Sequence, residues 1–426
     1  MNRFLKTAGL GIFILVLLTT FTLATAYAGP IKIGCVLSLT GTGAPECGPQ
    51  QQGVVLAEKH INNGGGPLDN KLKVLYADGQ SKPGAATAAV NKLVKMNNIP
   101  ILLGGWSSGC SIAMSTVTIP NKVVQIGVGC TSPQITYLKD NDYFFRTSPS
   151  DAGQGVALAM LAKRKGYKTA SSIVINNQYG IGIEQVFIEA WKKAGGKFLT
   201  AVRADKNKAS YRSELGKVFK NNPDVVINAV YPIDNTVMMK QWYQMDLGGH
   251  WLAAEVGKAP TLPEKLGYNI YGTVEGVSTG APDSKARELF DQAWKNEYDD
   301  ADQSVFSASA YDATMIAALA IEKAGTAKDT AAIKEAIREV ANPPGEVVTI
   351  NEFAKGKKLI SQGKDIQYVG GSGPVDFDEH GDVAGLYEHW TVSENETFNV
   401  AGNFKPSEIT DFAEKINFEL PIWWEE

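Results

Sequence analysis

Five short segments carry residues able to hold a small polar molecule, and each stands where an apolar run gives way to a turn. Gly104-Gly105-Trp106-Ser107-Ser108-Gly109 follows the apolar run 99–103 and opens a helical pattern. Such a turn presents free backbone N–H groups and the positive end of a helix dipole, an anion seat to which Ser107 and Ser108 add hydroxyl donors. A carboxylate is the natural guest, although a Ser N-cap without a ligand has the same sequence. Gly127-Val128-Gly129-Cys130-Thr131-Ser132-Pro133 ends the next run. The Gly129 carbonyl and the Thr131 hydroxyl suit an ammonium donor; a plain turn is the alternative. Further along, Asn176-Asn177-Gln178-Tyr179-Gly180, Ala229-Val230-Tyr231-Pro232 and Ala253-Ala254-Glu255-Val256-Gly257 end three more runs. Tyr179 and Tyr231 can wall an apolar moiety, and Glu255 can neutralise a cation. Taken singly, each is an ordinary strand-end residue. Five such positions at successive strand ends are less easily dismissed.

The elements that must position these residues read as two α/β units. Strand-like runs at 31–37, 72–76, 99–103 and 123–127 alternate with helical patterns at 50–62, 83–96 and 108–117. That order implies a parallel sheet with helices on both faces. A second series follows Pro149: helical patterns at 151–165, 179–194, 210–220 and 235–247 alternate with strand-like runs at 170–175, 198–203, 225–229 and 251–253. Element order repeats, sequence does not. The stretch 284–340 is nearly all helical, and 375–392 reads as a strand pair about a turn at 378–382. The predicted fold is α/β with two Rossmann-like lobes, each a mostly parallel sheet flanked by helices, joined by a hinge. Ligands bind beyond the carboxyl ends of such strands, so two facing lobes converge on one cleft.

Residues 1–28 place Arg3 and Lys6 before an apolar run and end on Ala26-Tyr27-Ala28, the pattern of a secretory signal peptide cleaved near Ala28. The apolar run is shorter than the ~20 residues of a spanning helix. A soluble mature chain beginning near Gly29 is expected. Formal net charge is −4 and becomes more negative once Arg3 and Lys6 leave, which disfavours nucleic acid or an anionic membrane as a partner. The four cysteines, Cys35, Cys47, Cys110 and Cys130, are free to form disulfides in an exported protein, in any of three full pairings. The four histidines stand far apart and no CxxC occurs, so neither a metal nor a cofactor is expected. An exported hydrolase needs a nucleophile and a base, yet the chain has no GxSxG elbow. A soluble sensory protein is the other rival.

The order and spacing of these motifs resemble the type I periplasmic substrate-binding proteins of ABC transporters, in the branched-chain amino acid group. Similarity is carried by Ile31-Lys32-Ile33-Gly34, Leu37-Ser38-Leu39-Thr40-Gly41, Asn62-Asn63-Gly64-Gly65, Gly104-Gly105 with Ser107-Ser108, Thr131-Ser132-Pro133, Phe145-Arg146-Thr147-Ser148-Pro149 and Gln178-Tyr179-Gly180. The resemblance implies a monomeric periplasmic protein that closes on a small ligand and delivers it to an inner-membrane permease, with no catalysis. It implies lobe 1 from 29–148 with 278–370 and lobe 2 from 149–277 with 371–426, hinged near Ser148, Ser278 and Gly370-Gly371-Ser372-Gly373-Pro374. Ser108 and its N–H would hold the ligand carboxylate with help from Thr131. Gly129, Thr131 and Glu255 would hold its ammonium. Tyr179 and Tyr231 would close over it from lobe 2.

Two departures stand out. Cys47, within Ala44-Pro45-Glu46-Cys47-Gly48, occupies a position where that family often has an aromatic residue, and Trp106 stands where a smaller apolar residue is common. The family's small disulfide loop lacks its Cys, with Gln80 at the nearest position. A bridge among Cys47, Cys110 and Cys130 near the cleft rim is an open expectation. Trp106, Tyr179 and Tyr231 tilt the ligand toward a hydrophobic or aromatic side chain, and Glu255 tilts it away from plain acids. Amides and aromatic acids stay open as alternatives.

Overall fold

The computed structural model describes residues 29–299 and 301–419. The expected signal peptide and the Trp423-Trp424 pair lie outside the described residues. The first sheet is built from β1 (Ile31–Leu37), β2 (Leu72–Asp78), β3 (Ile101–Gly104), β4 (Val124–Gly127) and β5 (Phe144–Arg146). Its order is β2-β1-β3-β4-β5 and every pairing is parallel. Between these strands run α1 (Ala44–Asn63), α2 (Pro83–Asn97) and α3 (Ser108–Thr118). Strands β1, β3 and β4 are buried almost throughout, as a sheet covered on both faces requires.

The second unit repeats this plan. Helices α4 (Asp151–Arg164), α5 (Gln178–Lys193), α6 (Arg212–Val218), α7 (Pro232–Gln244), α8 (Thr261–Leu266) and α9 (Tyr268–Tyr271) flank β6 (Thr169–Ile175), β7 (Lys197–Ala204), β8 (Val225–Ala229), β9 (His250–Ala253) and β10 (Val274–Gly280). The order β7-β6-β8-β9-β10 mirrors the first sheet strand for strand. The chain then returns to the first lobe with α10 (Lys285–Tyr298), α11 (Ser307–Ala324), α12 (Thr330–Ala341) and α13 (Phe353–Ser361), plus a small sheet of β11 (Glu346–Val348), β12 (Ile366–Gly370) and β13 (Gly373–Pro374). The fully buried α11 packs against α1. Antiparallel β14 (Leu386–Val392) and β15 (Phe398–Phe404) extend the second sheet beyond β10, and α14 (Pro406–Lys415) packs on α4.

Three details depart from the expectations. The strand pair near the C-terminus turns at 393–397 rather than 378–382, where only a single bridge joins Phe377 and Val383. Residues 378–382 instead form a tight turn whose Asp382 is consumed by a buried ion pair described below. Ser278 itself sits inside β10, opposite Glu388 of β14, two residues before the strand ends, and its hydroxyl donates to Glu388 at 2.9 Å. The Gly370–Pro374 stretch is clamped by buried Asp312 of α11. That carboxylate accepts from Tyr368 Oη, Gly371 N, Ser372 N and Ser372 Oγ at 2.6–3.1 Å. The expected lobe divisions at 277/278 and 370/371 fall within β10 and at the end of β12.

The cysteines also depart from expectation, because all four are free and buried. Cys35 lies on β1, Cys47 on α1, Cys110 on α3 and Cys130 after β4, set into cores rather than along a rim. Burial pushes each thiol up from its ordinary range, which suppresses the reactive thiolate. Thiol titration of the native protein is expected to give almost no rapid reaction, and denaturation to release four equivalents. Two or fewer after denaturation would restore a disulfide.

Candidate ligand-binding site

The two sheets have equivalent strand orders, so their switch points, β1/β3 and β6/β8, sit at matching places. Loops leaving these strands and their neighbours carry every expected site residue. In lobe 1, β3 ends at Gly104, whose φ is +114° and whose added Cβ would lie 2.2 Å from Val36 O. Only glycine makes this turn into α3. Ser107 caps α3 in extended conformation without spending its side chain on the helix. The first N–H committed inside α3 is that of Ser111, donating to Ser107 O at 2.9 Å. The amides of 108–110 precede it and are oriented for an anion.

Ser108 is buried, and its Oγ accepts from Ser132 N at 3.1 Å, so its own proton remains to donate. Thr131 Oγ1 donates to Asp151 Oδ2 at 2.8 Å, which leaves its lone pairs to accept. Gly129 lies against the rings of Trp106 and Phe306, each 3.1 Å from where a Cβ would be.

From lobe 2, Tyr179 opens α5, Tyr231 caps α7, and Glu255 begins a 3-10 turn after β9. Tyr231 Oη accepts from Asn177 Nδ2 at 2.9 Å. Tyr179 and Tyr231 stack with ring centroids 5.8 Å apart, and Trp106 meets Tyr231 across the cleft at 4.8 Å. Trp106 thus meets the protein's own tyrosine at an interplanar angle of 41°, and a Cβ at Gly43 would strike the indole at 2.7 Å.

Glu255 is 4% exposed, and its Oε2 finds no hydrogen-bond partner. Tyr179 Oη and Asp151 Oδ1, both buried nearby, are also unpartnered. Burial raises the Glu255 carboxyl, and burial followed by the Glu255 charge raises Asp151 well above the usual carboxylate range. The Tyr179 phenol is pushed up by the same two causes, so it stays a donor. Buried polar atoms in native proteins are paired with protein or water in the great majority of cases. Unused hydrogen-bonding capacity is concentrated here, at Glu255 Oε2, Tyr179 Oη, Asp151 Oδ1 and Gln154 Oε1.

A cavity of about 390 Å³ opens beside this cluster, with Glu46 of lobe 1 and Glu255 of lobe 2 in its wall. Glu255 is the one expected residue that lines it. The others do not line it. Sequence reasoning missed Glu46, Asp151, Gln154 and Gln178. Gln154 Oε1 is buried without a partner, and Gln178 Oε1 lies 2.6 Å from where a Cβ on Gly109 would sit. Glu46 and Asp151 stand in the first turns of α1 and α4, where acids are common for dipole reasons alone. Nothing in their local sequence separates a cleft carboxylate from an ordinary one.

Residues 30–361 match the family described as periplasmic binding protein. The chain belongs to that family. Its two-lobe α/β architecture is that of the type I members. An Arabidopsis thaliana protein, glutamate receptor 2.2, is 25% identical over 354 residues, covering 82% of this chain and 38% of the receptor. The chain thus spans under half of that relative. The chemotactic signal transduction substrate-binding protein BasB of Halobacterium salinarum is 22% identical over 355 residues, 82% of this chain and 83% of BasB. A Leu/Ile/Val-binding protein homolog of Brucella melitensis is 26% identical over 325 residues, 75% and 86% of the two chains.

Among solved structures, the Streptococcus pneumoniae branched-chain amino acid transporter substrate-binding protein in complex with isoleucine superposes with TM-score 0.74 at 20% identity, covering 88% of this chain and 100% of that one. A solute-binding protein from R. palustris in complex with benzoate gives TM-score 0.73 at 17% identity, with 88% and 96% covered. Among the described residues, no helix of this periplasmic binding protein is long and apolar enough to cross a membrane.

Proposed function

We propose that this protein is the extracytoplasmic binding component of an ABC transporter and that its ligand is an amino acid gripped as a zwitterion between the lobes. The α-carboxylate rests on the amides of 108–110 with the Ser107 and Ser108 hydroxyls. The α-ammonium meets the Gly129 carbonyl, Thr131 Oγ1 and Glu255. Tyr179 and Tyr231 close the seat from lobe 2, and closure carries the ligand to a permease rather than through a reaction.

The buried Glu255 carboxylate, whose Oε2 lacks a hydrogen-bond partner and which no cation among the described residues faces, carries this reading. A benzoate-like acid would bring a second negative charge to it without a counter-ion, and uncompensated buried charge is costly. An ammonium supplies the missing partner. The test is a thermal-shift and calorimetric panel of L-leucine, L-isoleucine, L-phenylalanine, L-lysine, acetamide and benzoate. A ligand bound by the folded state alone, at a hundredfold excess over its Kd, adds about 2.7 kcal/mol of stability. At least one α-amino acid is expected to raise the melting temperature, and benzoate to leave it unchanged. A response to benzoate or acetamide alone would overturn the reading. The chemotactic relative BasB supports a second partner for the same site, a membrane receptor instead of a permease; co-purification with membrane proteins separates the two.

A further inference from the structure

The cavity beside the site is more acidic than one ammonium requires. Its wall includes Lys258 and Arg287, but each is already committed: Lys258 to Glu388, and Arg287 to Asp291 and Gln303. Two buried acids are left over, Glu46 from the first turn of α1 and Glu255 from the opposite lobe. Glu46 is 8% exposed, and no described residue donates a hydrogen bond to its carboxylate or places a positive charge against it. Glu46 feels the Glu255 charge. No group of three His, Cys, Asp or Glu among the described residues is spaced for a metal ion. The acids are therefore spread along the cavity wall, which fits an extended organic cation better than a bare ion.

We propose that the ligand carries a second cationic group in its side chain, as a basic α-amino acid such as lysine or ornithine does, and that Glu46 is the specificity-determining residue that receives it. The inference rests on the zwitterion reading above and extends it. With Glu255 on the α-ammonium, the side chain runs into the 390 Å³ cavity and its terminal ammonium meets Glu46. Trp106, folded over Gly43 and against Tyr231, closes off the aromatic end of the cleft. A neutral aliphatic side chain would leave Glu46 buried and uncompensated, which disfavours leucine by repulsion of chemistry rather than of shape. Burial, then the Glu255 charge, pushes the Glu46 carboxyl up to about 7, as expected of a carboxylate whose counter-charge arrives with the ligand.

The experiment is titration calorimetry of the wild type, Glu46→Gln and Glu255→Gln with L-lysine, L-ornithine, L-leucine and 1,4-diaminobutane. Circular dichroism melting of each variant secures the fold. L-Lysine or L-ornithine is expected to bind the wild type at least tenfold more tightly than L-leucine. Glu46→Gln should weaken the basic amino acid roughly tenfold or more, the range of one lost charge-assisted hydrogen bond, and leave leucine bound as tightly as before or more tightly. Equal binding of leucine and lysine with no effect of Glu46→Gln overturns the inference; if Glu255→Gln still abolishes both, the zwitterion reading survives. Binding of the diamine as tightly as lysine sustains the second cation and overturns the carboxylate seat at α3. No binding of any of the four overturns both.

Discussion

Glu255→Gln is expected to abolish amino-acid binding while leaving the ligand-free fold intact. Removing one partner from a desolvated charge pair costs about 2–5 kcal/mol, roughly thirty- to several-thousandfold in Kd. The isosteric amide keeps the volume and loses only the charge. The ligand-free variant should melt at the same temperature or higher, because the carboxylate it lacks is buried with no counter-charge and with Oε2 unbonded in the native chain. A Kd within threefold of wild type would assign the ammonium to another group.

The pH dependence has a definite sign. The groups facing the seat are Glu255, Asp151, Glu46, Tyr179 and Tyr231, and all are raised. Glu46 and Glu255 move from the ordinary 4.5 to about 7. The native ligand-free state therefore holds protons that the unfolded chain has released in this window. Their contribution to stability is present below the unfolded value and lost as pH rises through the folded one. A cationic ligand requires the deprotonated carboxylates, so affinity moves the other way, rising toward and above pH 7. Calorimetry at pH 5.5 and 8 should show tighter binding at the higher pH; the reverse would remove the carboxylates from the ammonium seat.

The second large effect lies behind the site. Arg146, at the end of β5, is fully buried. Its Nε and Nη2 donate to the two Asp382 oxygens at 2.6 Å each. Nη1 donates to Cys130 O at 3.2 Å and Ser132 O at 2.9 Å, and Nη2 also donates to Thr136 Oγ1 at 2.9 Å. All five donors are satisfied. The carbonyls so held flank Thr131, and Thr136 Oγ1 completes the ring by donating to Asp382 at 2.7 Å. Arg146→Met is expected to cost about 3–5 kcal/mol, the magnitude for breaking a buried pair from one side, read as a lower urea midpoint. Ligand affinity should fall with it, because the Gly129–Ser132 loop loses its anchor. Adding Asp382→Asn should recover part of the stability and none of the loop's position. An Arg146→Met loss below about 1 kcal/mol, in the range of an exposed pair, would contradict the burial argument.

Much of this was readable in the chain. Apolar runs gave eight of the first ten strands within a few residues and passed over β5 and β10; the central strands are buried almost throughout and read as short apolar runs bounded by turn residues. The strand-end positions of Ser107, Ser108, Thr131, Tyr179, Tyr231 and Glu255 followed from those runs. What escaped depends on distant partners. Nothing near Ser278 signals that Glu388 pairs with it from more than a hundred residues away. Likewise the Gly370–Pro374 stretch looks like a free linker until Asp312 of α11 is found holding it. The cysteines misled because export permits disulfides without requiring them, and these four fill cores. Glu46 was hidden by an ordinary first-turn setting that only the opposite lobe makes unusual.

The indole–phenol contact between Trp106 and Tyr231 bears on how the resting molecule divides its time. An aromatic pair adds about 0.5–1.5 kcal/mol beyond its buried area, and this one exists only when the halves meet. It multiplies the shut fraction of the empty protein by roughly two- to tenfold. Arriving cargo then finds a partly preassembled clamp and loses less affinity to selection of the competent shape. On the proposed transport reading, unloading would be hindered to the same degree, and a receiving partner would have to part ring from ring before anything leaves.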